Sequence, residues 1–197
     1  MSKKSICEEL EQIVRKFEKE TIKRRQAGEA PMEPEQRLLE ASAMLECSNA
    51  VLTHSEFEQT ARVIFDLAKN LIDATAGYVA LLSEDGMQNE VLFLEAGGLP
   101  CTVDPSLPMP IRGLRARSYR TGEVVFENSF SNSKWMAFMP KGHVTLDNVM
   151  FAPLKIEGKA YGLIGLANKP GGFTEKDARM ATEFGKFTAI ALKKAWQ

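Results

Sequence analysis

Cysteine is scarce in this chain. The three that occur, Cys7, Cys47 and Cys101, form neither a paired framework nor a Cys-x-x-Cys metal pattern. Cys7 and Cys47 fall on two successive helical stretches that turn near residues 28–33. Cys7 lies about six residues further from that turn, an offset of roughly 9 Å along an antiparallel hairpin, too far for a disulfide without a shift. Reduced thiols are expected. A surplus of one charge is also lacking: 25 Lys and Arg stand against 26 Asp and Glu, a net of −1. The chain therefore carries no electrostatic footprint for nucleic acid. No apolar run approaches the roughly 20 residues of a membrane helix, and the opening MSKKSICEELEQ lacks the apolar core of a signal peptide. No membrane partner and a cytoplasmic location are expected. Ser-His-Asp spacing, a paired-carboxylate motif and a phosphate-binding glycine loop are all missing, so no enzyme activity is expected.

What is present suits a folded domain plus an accessory segment: 197 residues, 44% hydrophobic and 26% charged. Residues 1–54 read as a helical hairpin. Ile6, Leu10, Ile13 and Phe17 recur at helical spacing over Ser5–Arg25, with Val14 beside them and Lys23, Arg24 and Arg25 at the end that favours cations. Glu11–Arg15 and Glu20–Arg24 are favourable four-residue pairs. Gly28–Pro34 is the linker. A second helix runs from Glu35 to about Leu52, with Leu38, Met44, Leu45 and Val51 available for burial.

Residues 55–197 form the second unit. Glu56–Asp73 is an amphipathic helix, Tyr78–Leu82 and Glu90–Glu95 are strands, and Ser83-Glu84-Asp85-Gly86 is the turn between them. Asn148–Ile156 and Ala160–Asn168 are strands joined across Glu157-Gly158-Lys159, a hairpin signal. Thr174 and Asp177 then make a capping box that opens a helix from Glu175 to about Trp196. Between these regular parts, Gly98–Asp147 is rich in Pro and Gly yet apolar, with a short helix over Ile111–Thr121 and a short strand over Glu123–Glu127. Long irregular stretches inside a small domain are usually functional.

Met150-Phe151-Ala152-Pro153-Leu154, Gly162–Lys169, Phe173, Asp177 and Ala189-Ile190-Ala191-Leu192 together resemble the C-terminal half of a GAF domain, a sensory module of the kind found in sensor histidine kinases. The resemblance covers about Ser55 to Ala195. It implies an α+β fold: an antiparallel sheet with terminal helices on one face and the 98–147 segment as a lid on the other, enclosing a ligand pocket. Cys101, Phe126, Trp135, Phe138, Met139, His143 and Phe151 are the expected lining. The same aromatic and Met cluster can instead be ordinary packing under a loop.

Several readings follow from the resemblance. One is a non-catalytic sensor for a small molecule of unknown identity, signalling as a homodimer through its N- and C-terminal helices. No kinase, phosphodiesterase or DNA-binding segment is recognisable in the sequence. The output then lies either in a longer chain or in a separate partner such as a histidine kinase. A second reading is a haem-bound redox or gas sensor with His143 as axial ligand and Cys101 across the pocket. A bilin would need a Cys close before that His, and Ser131-Asn132-Ser133 and Lys141-Gly142 supply none. A third is a thiol-dependent free methionine sulfoxide reductase, but only Cys101 lies in the pocket-forming half, where an attacking and a resolving thiol are needed. Asn168-Lys169, Phe173 and Asp177 are similar to part of the signature of cyclic-nucleotide-binding relatives. Ala178 stands where the signature has Glu, and Lys169 with Asp177 is read as a structural ion pair.

Overall fold

Two strands with opposite demands on their neighbours set up the sheet. Lys159–Ala167 (β6) is apolar after its first residue and buried without interruption from Gly162, as a strand covered on both faces must be. It folds back on Val149–Ile156 (β5) through Glu157-Gly158, with φ of 50° and 86°. Positive φ at both turn residues matches the twist of the strands, the geometry of a type I′ hairpin. On the other side β6 pairs with Ala76–Leu82 (β1), which pairs with Gln88–Glu95 (β2); Met109–Pro110 (β3) and Val125–Glu127 (β4) form the edges. The six strands lie in the order β3-β2-β1-β6-β5-β4, and every pairing is antiparallel. The architecture is α+β. The computed structural model describes the backbone of residues 3–26, 33–104 and 106–197.

One face of the sheet is covered by helices: Lys3–Gln26 (α1), Pro34–Thr53 (α2), Phe57–Ile72 (α3) and Glu175–Ala195 (α5, the numbering leaving α4 for Gly113–Thr121 of the lid). Phe65 and Ile64 from α3 and Phe184 and Phe187 from α5 meet Val79, Met150, Leu154 and Ile164 from the sheet, all fully or almost fully buried. Polar contacts set the directions of the helices. Lys176 lies 3.3 Å from the buried carboxylate of Glu40, while Lys194 donates to the carbonyls of Val51 (2.8 Å) and His54 (2.7 Å). Thus α2 runs parallel to α5, and Lys194 satisfies carbonyls that the end of α2 leaves open. Lys193 with Glu9, 3.0 Å apart, sets α1 antiparallel to both.

Ile6 and Leu10 of α1 are buried in this layer and Ile13 packs against it. The side chains of Phe17, Glu20, Lys23, Arg24 and Arg25, and the linker residues 28–32, lie outside the described residues. Glu11 and Arg15 pair at 3.2 Å in full view of solvent, where a pair contributes at most about 1 kcal/mol. The reading of α2 needs correction. Met44 and Val51 are buried, but Leu38 and Leu45 point outward, 72% and 61% exposed. The buried stripe is Glu40, Ala43, Met44, Cys47, Ala50 and Val51, on the opposite side of the helix, because small residues allow α2 to sit close to α3 and α5. Burial there pushes the Cys47 thiol well above its ordinary value, while Cys7 is exposed.

The start of α5 carries the capping box. Asp177 N donates to Thr174 Oγ1 at 3.2 Å, and Thr174 N to Asp177 Oδ2 at 2.7 Å. Lys169 Nζ stands 3.6 Å from the other carboxylate oxygen and donates to the Ile72 carbonyl at 2.6 Å. That single lysine therefore ties the end of β6 to the end of α3 and the start of α5.

Candidate functional site

The lid side of the sheet follows from strand register. Val125, Phe151, Gly165, Tyr78 and Leu94 are successive partners across β4, β5, β6, β1 and β2. Side chains of directly paired residues share a face, so this row looks at the lid. Phe126, Met150 and Leu166 form the adjacent row and look at the helices. Gly165 matters here. A Cβ on it would lie 2.5 Å from the ring of Tyr78, so its missing side chain is what lets that ring lie down across β6 toward Phe151. The two ring centroids are 6.4 Å apart, tilted by 55°.

Above this row stand α4 (Gly113–Thr121) and two 3-10 turns, Phe130–Asn132 and Lys134–Phe138. Leu114 and Ser118 of α4 face the sheet, and Ser118 donates to the carbonyls of Glu123 (2.8 Å) and Phe151 (3.3 Å). Gly113 has φ of 67°, and a Cβ there would meet Phe138 at 3.1 Å. Phe138 stacks on Trp135 with centroids 6.5 Å apart, and Arg112 Nη2 donates to the Phe138 carbonyl at 2.9 Å. The second 3-10 turn is thus fastened onto the start of α4.

The lid encloses a polar cluster that apolar patterning does not reveal. Tyr119 and Arg115 are four residues apart on one face of α4. The Tyr119 hydroxyl donates to Asn89 Oδ1 at 2.7 Å, and Asn89, buried on β2, directs its amide toward Met109 Sδ at 3.5 Å. The hydroxyl of Tyr78 comes up from β1 into the same place, buried and without a hydrogen bond of normal geometry. Burial raises the Tyr78 phenol above its ordinary value, against the pull of the nearby Arg115 guanidinium and Asn89 amide. Tyr119 is raised as well, by burial and by Tyr78, with Arg115 opposing. Both phenols remain protonated donors across the physiological range. Among the described residues no carboxylate pairs with Arg115.

The residues expected as pocket lining divide. Trp135, Met139 and Phe151 pack on the lid-side cluster of Leu114, Val125, Phe130 and Val149, each only partly buried. Phe138 sits on Trp135 and α4. Phe126 corrects the expectation: its register turns it to the helix side, where it packs on the main core. Cys101 is exposed, on a segment joined to Gly142 by the Thr102 N–H at 2.9 Å. His143 is half-buried with Nδ1 2.8 Å from the Val144 carbonyl, which assigns the proton to Nδ1 and leaves Nε2 free. Trp135 and Phe138 pack on each other and on Gly113. Among the described residues no cluster of three His, Cys, Asp or Glu side chains is arranged to hold a metal ion.

Sequence reasoning missed Tyr78, Asn89, Arg115 and Tyr119. The available signals were a tyrosine inside the otherwise apolar β1 and the Arg-x-x-x-Tyr spacing of α4, whereas Asn89 stands between Gln88 and Glu90 and carries no such signal. An open groove of roughly 320 Å³ lies elsewhere, between α1, α5 and the β5–β6 hairpin, beside Glu9, Lys16, Lys186 and Lys193. No helix among the described residues is long and apolar enough to cross a membrane.

A family model described as "GAF domain" matches residues 54–193. No curated protein matches the chain by sequence. Among solved structures, the chain is similar to the GAF domain of a phosphoenolpyruvate-protein phosphotransferase from Coxiella burnetii, with 12% identity, a TM-score of 0.67, and coverage of 81% of this chain and 95% of that one. It is similar to a free methionine-R-sulfoxide reductase from Neisseria meningitidis solved with its substrate, with 15% identity, a TM-score of 0.66, and coverage of 84% and 95%. A third is residues 122 to 287 of a methyl-accepting chemotaxis protein, with 10% identity, a TM-score of 0.61, and coverage of 78% and 98%. At these identities the likeness is one of fold.

Proposed function

The chain belongs to the GAF family, and from that premise we propose that it is a non-catalytic sensory or regulatory module. It binds a small molecule between sheet and lid and passes the signal on through helices paired in a homodimer. The observation that carries this reading is the unfinished packing on the lid side. Tyr78, Trp135, Met139, Leu146 and Phe151 remain partly open, and a buried phenol there lacks a partner. Native interiors leave few such groups unsatisfied, and a pocket mixing aromatic walls with convergent polar groups is the usual form of a ligand site.

Lid and helices are joined at two places. Asn128 donates to the Phe173 carbonyl at 2.9 Å and accepts from Phe173 N at 2.7 Å just before α5, and a second route runs through two consecutive residues. The Asn168 side chain accepts from Asp147 N and donates to the Thr145 carbonyl, both at 2.9 Å, holding the end of the lid. Lys169 holds α3 and α5. A ligand that shifts the lid strap thus pulls on the helix layer through a covalent neighbour. For the homodimer contact, α5 is enclosed by its own fold on most sides. By contrast α2 shows the solvent an uncharged band of Leu38, Ala41, Ser42, Leu45, Asn49 and Leu52. Its three leucines are seven residues apart, so a two-fold axis at Leu45 sets Leu38 against Leu52 of a second copy, a self-complementary contact without charges to desolvate.

Against a thiol enzyme, Cys47 is buried in the helix layer, Cys7 lies on α1, and Cys101 is exposed, so no two thiols meet on the lid side. The test is a fragment screen read by NMR on the full chain. Binding that shifts Tyr78, Phe151 and Met139 signals is expected; fragments that perturb only the helix groove or nothing would refute the reading.

A further inference from the structure

The chemical class of the ligand is written in the donors of the buried cluster. Tyr119 has spent its proton on Asn89 Oδ1, so that oxygen is engaged. The Asn89 amide faces a thioether sulfur at 3.5 Å, a weak acceptor. The Tyr78 hydroxyl, fully buried on β1, has nothing to donate to. Arg115, whose five N–H groups are all donors, has no carboxylate partner among the described residues. Donors therefore exceed acceptors where the Arg115 side chain comes beside the Tyr78 hydroxyl and the Asn89 amide, a place that already holds a fixed positive charge. A cationic ligand would be repelled there, and a ligand rich in N–H groups would leave the same donors stranded. An anion supplies the missing lone pairs and neutralises the guanidinium.

Charge magnitude narrows the class. Arg112, the nearest other arginine of this segment, is committed to the Phe138 carbonyl, while Arg117 and Arg120 point to solvent. One inward guanidinium balances one negative charge, which suits a carboxylate better than a phosphate dianion. The planar fork of Arg matches a carboxylate edge. The rings of Tyr78 and Phe151 beside the cluster offer an apolar wall to the rest of the molecule.

We propose that the site binds a small organic acid, its carboxylate taken by the Arg115 guanidinium and the Tyr78 hydroxyl and its apolar part lying against Tyr78 and Phe151. This rests on the ligand-binding reading above, and the experiment separates the two. The full chain is titrated calorimetrically with benzoate and pyruvate and with their uncharged amides, benzamide and pyruvamide, while aromatic NMR signals report the location. The expected result is binding of at least one acid with a preference of about tenfold or more over its amide, the scale of one charge-assisted hydrogen bond, with shifts at Tyr78 and Phe151. Arg115→Gln abolishes the preference, Arg115→Lys keeps part of it, and Tyr78→Phe weakens the acid severalfold with no loss of thermal stability. Amides bound on the lid side as well as acids, or a preference that survives Arg115→Gln, would overturn the acid assignment and leave the ligand-binding reading standing. Acids that shift only signals outside the lid side would also overturn it. Absence of any lid-side shift with all four probes would remove both.

Discussion

At Phe126, Met150 and Leu166 the sheet meets α3 and α5, and at Val125, Phe151, Gly165 and Tyr78, one residue along each strand, it meets short turns and a nine-residue helix. The helix side is closed: Phe65, Phe184, Phe187, Leu154 and Ile164 are fully or almost fully buried, and the buried carboxylates of Glu40 and Glu183 each meet a lysine, although Glu183 Oε2 is itself left without a partner. The lid side has a small apolar cluster, half-open aromatic rings and a buried hydroxyl without a partner. A strand alternates its side chains strictly, so one sequence can build a close-packed support and a more loosely packed, partly exposed face back to back. The lesson is that the stabilising work and the recognition work are divided by the pleat of the sheet, with Asn128, Asn168 and Lys169 among the residues that join them.

The largest expected effect tests that division directly. Phe184→Ala removes a fully buried ring from the helix side and is predicted to lower stability by about 3–5 kcal/mol, whereas Phe151→Ala on the lid side costs about 1–2 kcal/mol because less area leaves water. Urea denaturation of the two variants checks the ratio; equal losses would mean that the lid side is also a solid core. Next comes the joint between the sides. Asp177→Ala removes the reciprocal cap of α5 and the partner of Lys169 and is predicted to cost about 1–2 kcal/mol, read from the same denaturation curves.

Tyr78→Phe sharpens the comparison by its sign. A buried hydroxyl without a partner is a burden on the folded state, so its removal is expected to be neutral or to stabilise by about 1 kcal/mol, while binding of the ligand falls. A loss of stability on thermal melting would mean that the hydroxyl is satisfied within the fold. Leu45→Glu addresses the outer side of the helix layer: stability of the monomer is expected to change by about 0.5 kcal/mol or less, while sedimentation shifts from dimer to monomer. Unchanged sedimentation would remove α2 as the contact.

The smallest effect lies away from both sides, in the β1–β2 turn. Hydrogen bonds from Ser83 Oγ and Met87 N hold the Asp85 carboxyl below its ordinary value. A carboxylate depressed in the folded state contributes above its unfolded pKa and loses that contribution as pH falls through the folded one. Protection of the Met87 amide, its exchange rate relative to that of an unstructured peptide at the same pH, is therefore expected to fall only at pH below the usual carboxylate range; loss of protection at or above that range would contradict the assignment.

Much of the helix side was legible in the sequence because it obeys periodic rules: α3 and α5 by their apolar stripes, β5 and β6 by composition, α5 by the Thr174–Asp177 cap. Leu38 and Leu45 were misassigned because a helix carrying apolar residues on two sides does not say which is inward; only the small residues Ala43, Cys47 and Ala50 fit the close approach. Phe126 was misassigned because its face depends on a register set by β5 and not by its own three-residue strand. The lid side was harder to read for a physical reason. Its hydrogen bonds join residues far apart in sequence, Asn89 with Tyr119 and Thr102 with Gly142, and its turns repeat no period. Trp135, Met139 and Phe151 could be found from apolar character, but Tyr78, Asn89 and Arg115 acquire their meaning only when the sheet brings them together.

The contrast between the two sides is tested most directly by hydroxyl-radical footprinting of the unliganded protein, with oxidation mapped to residues. The account predicts that Trp135, Met139, Phe151 and the Tyr78 ring are modified while Phe65, Phe184 and Phe187 stay protected. Equal protection of both sets would contradict it, leaving a sheet with two solid faces and no chamber for a ligand.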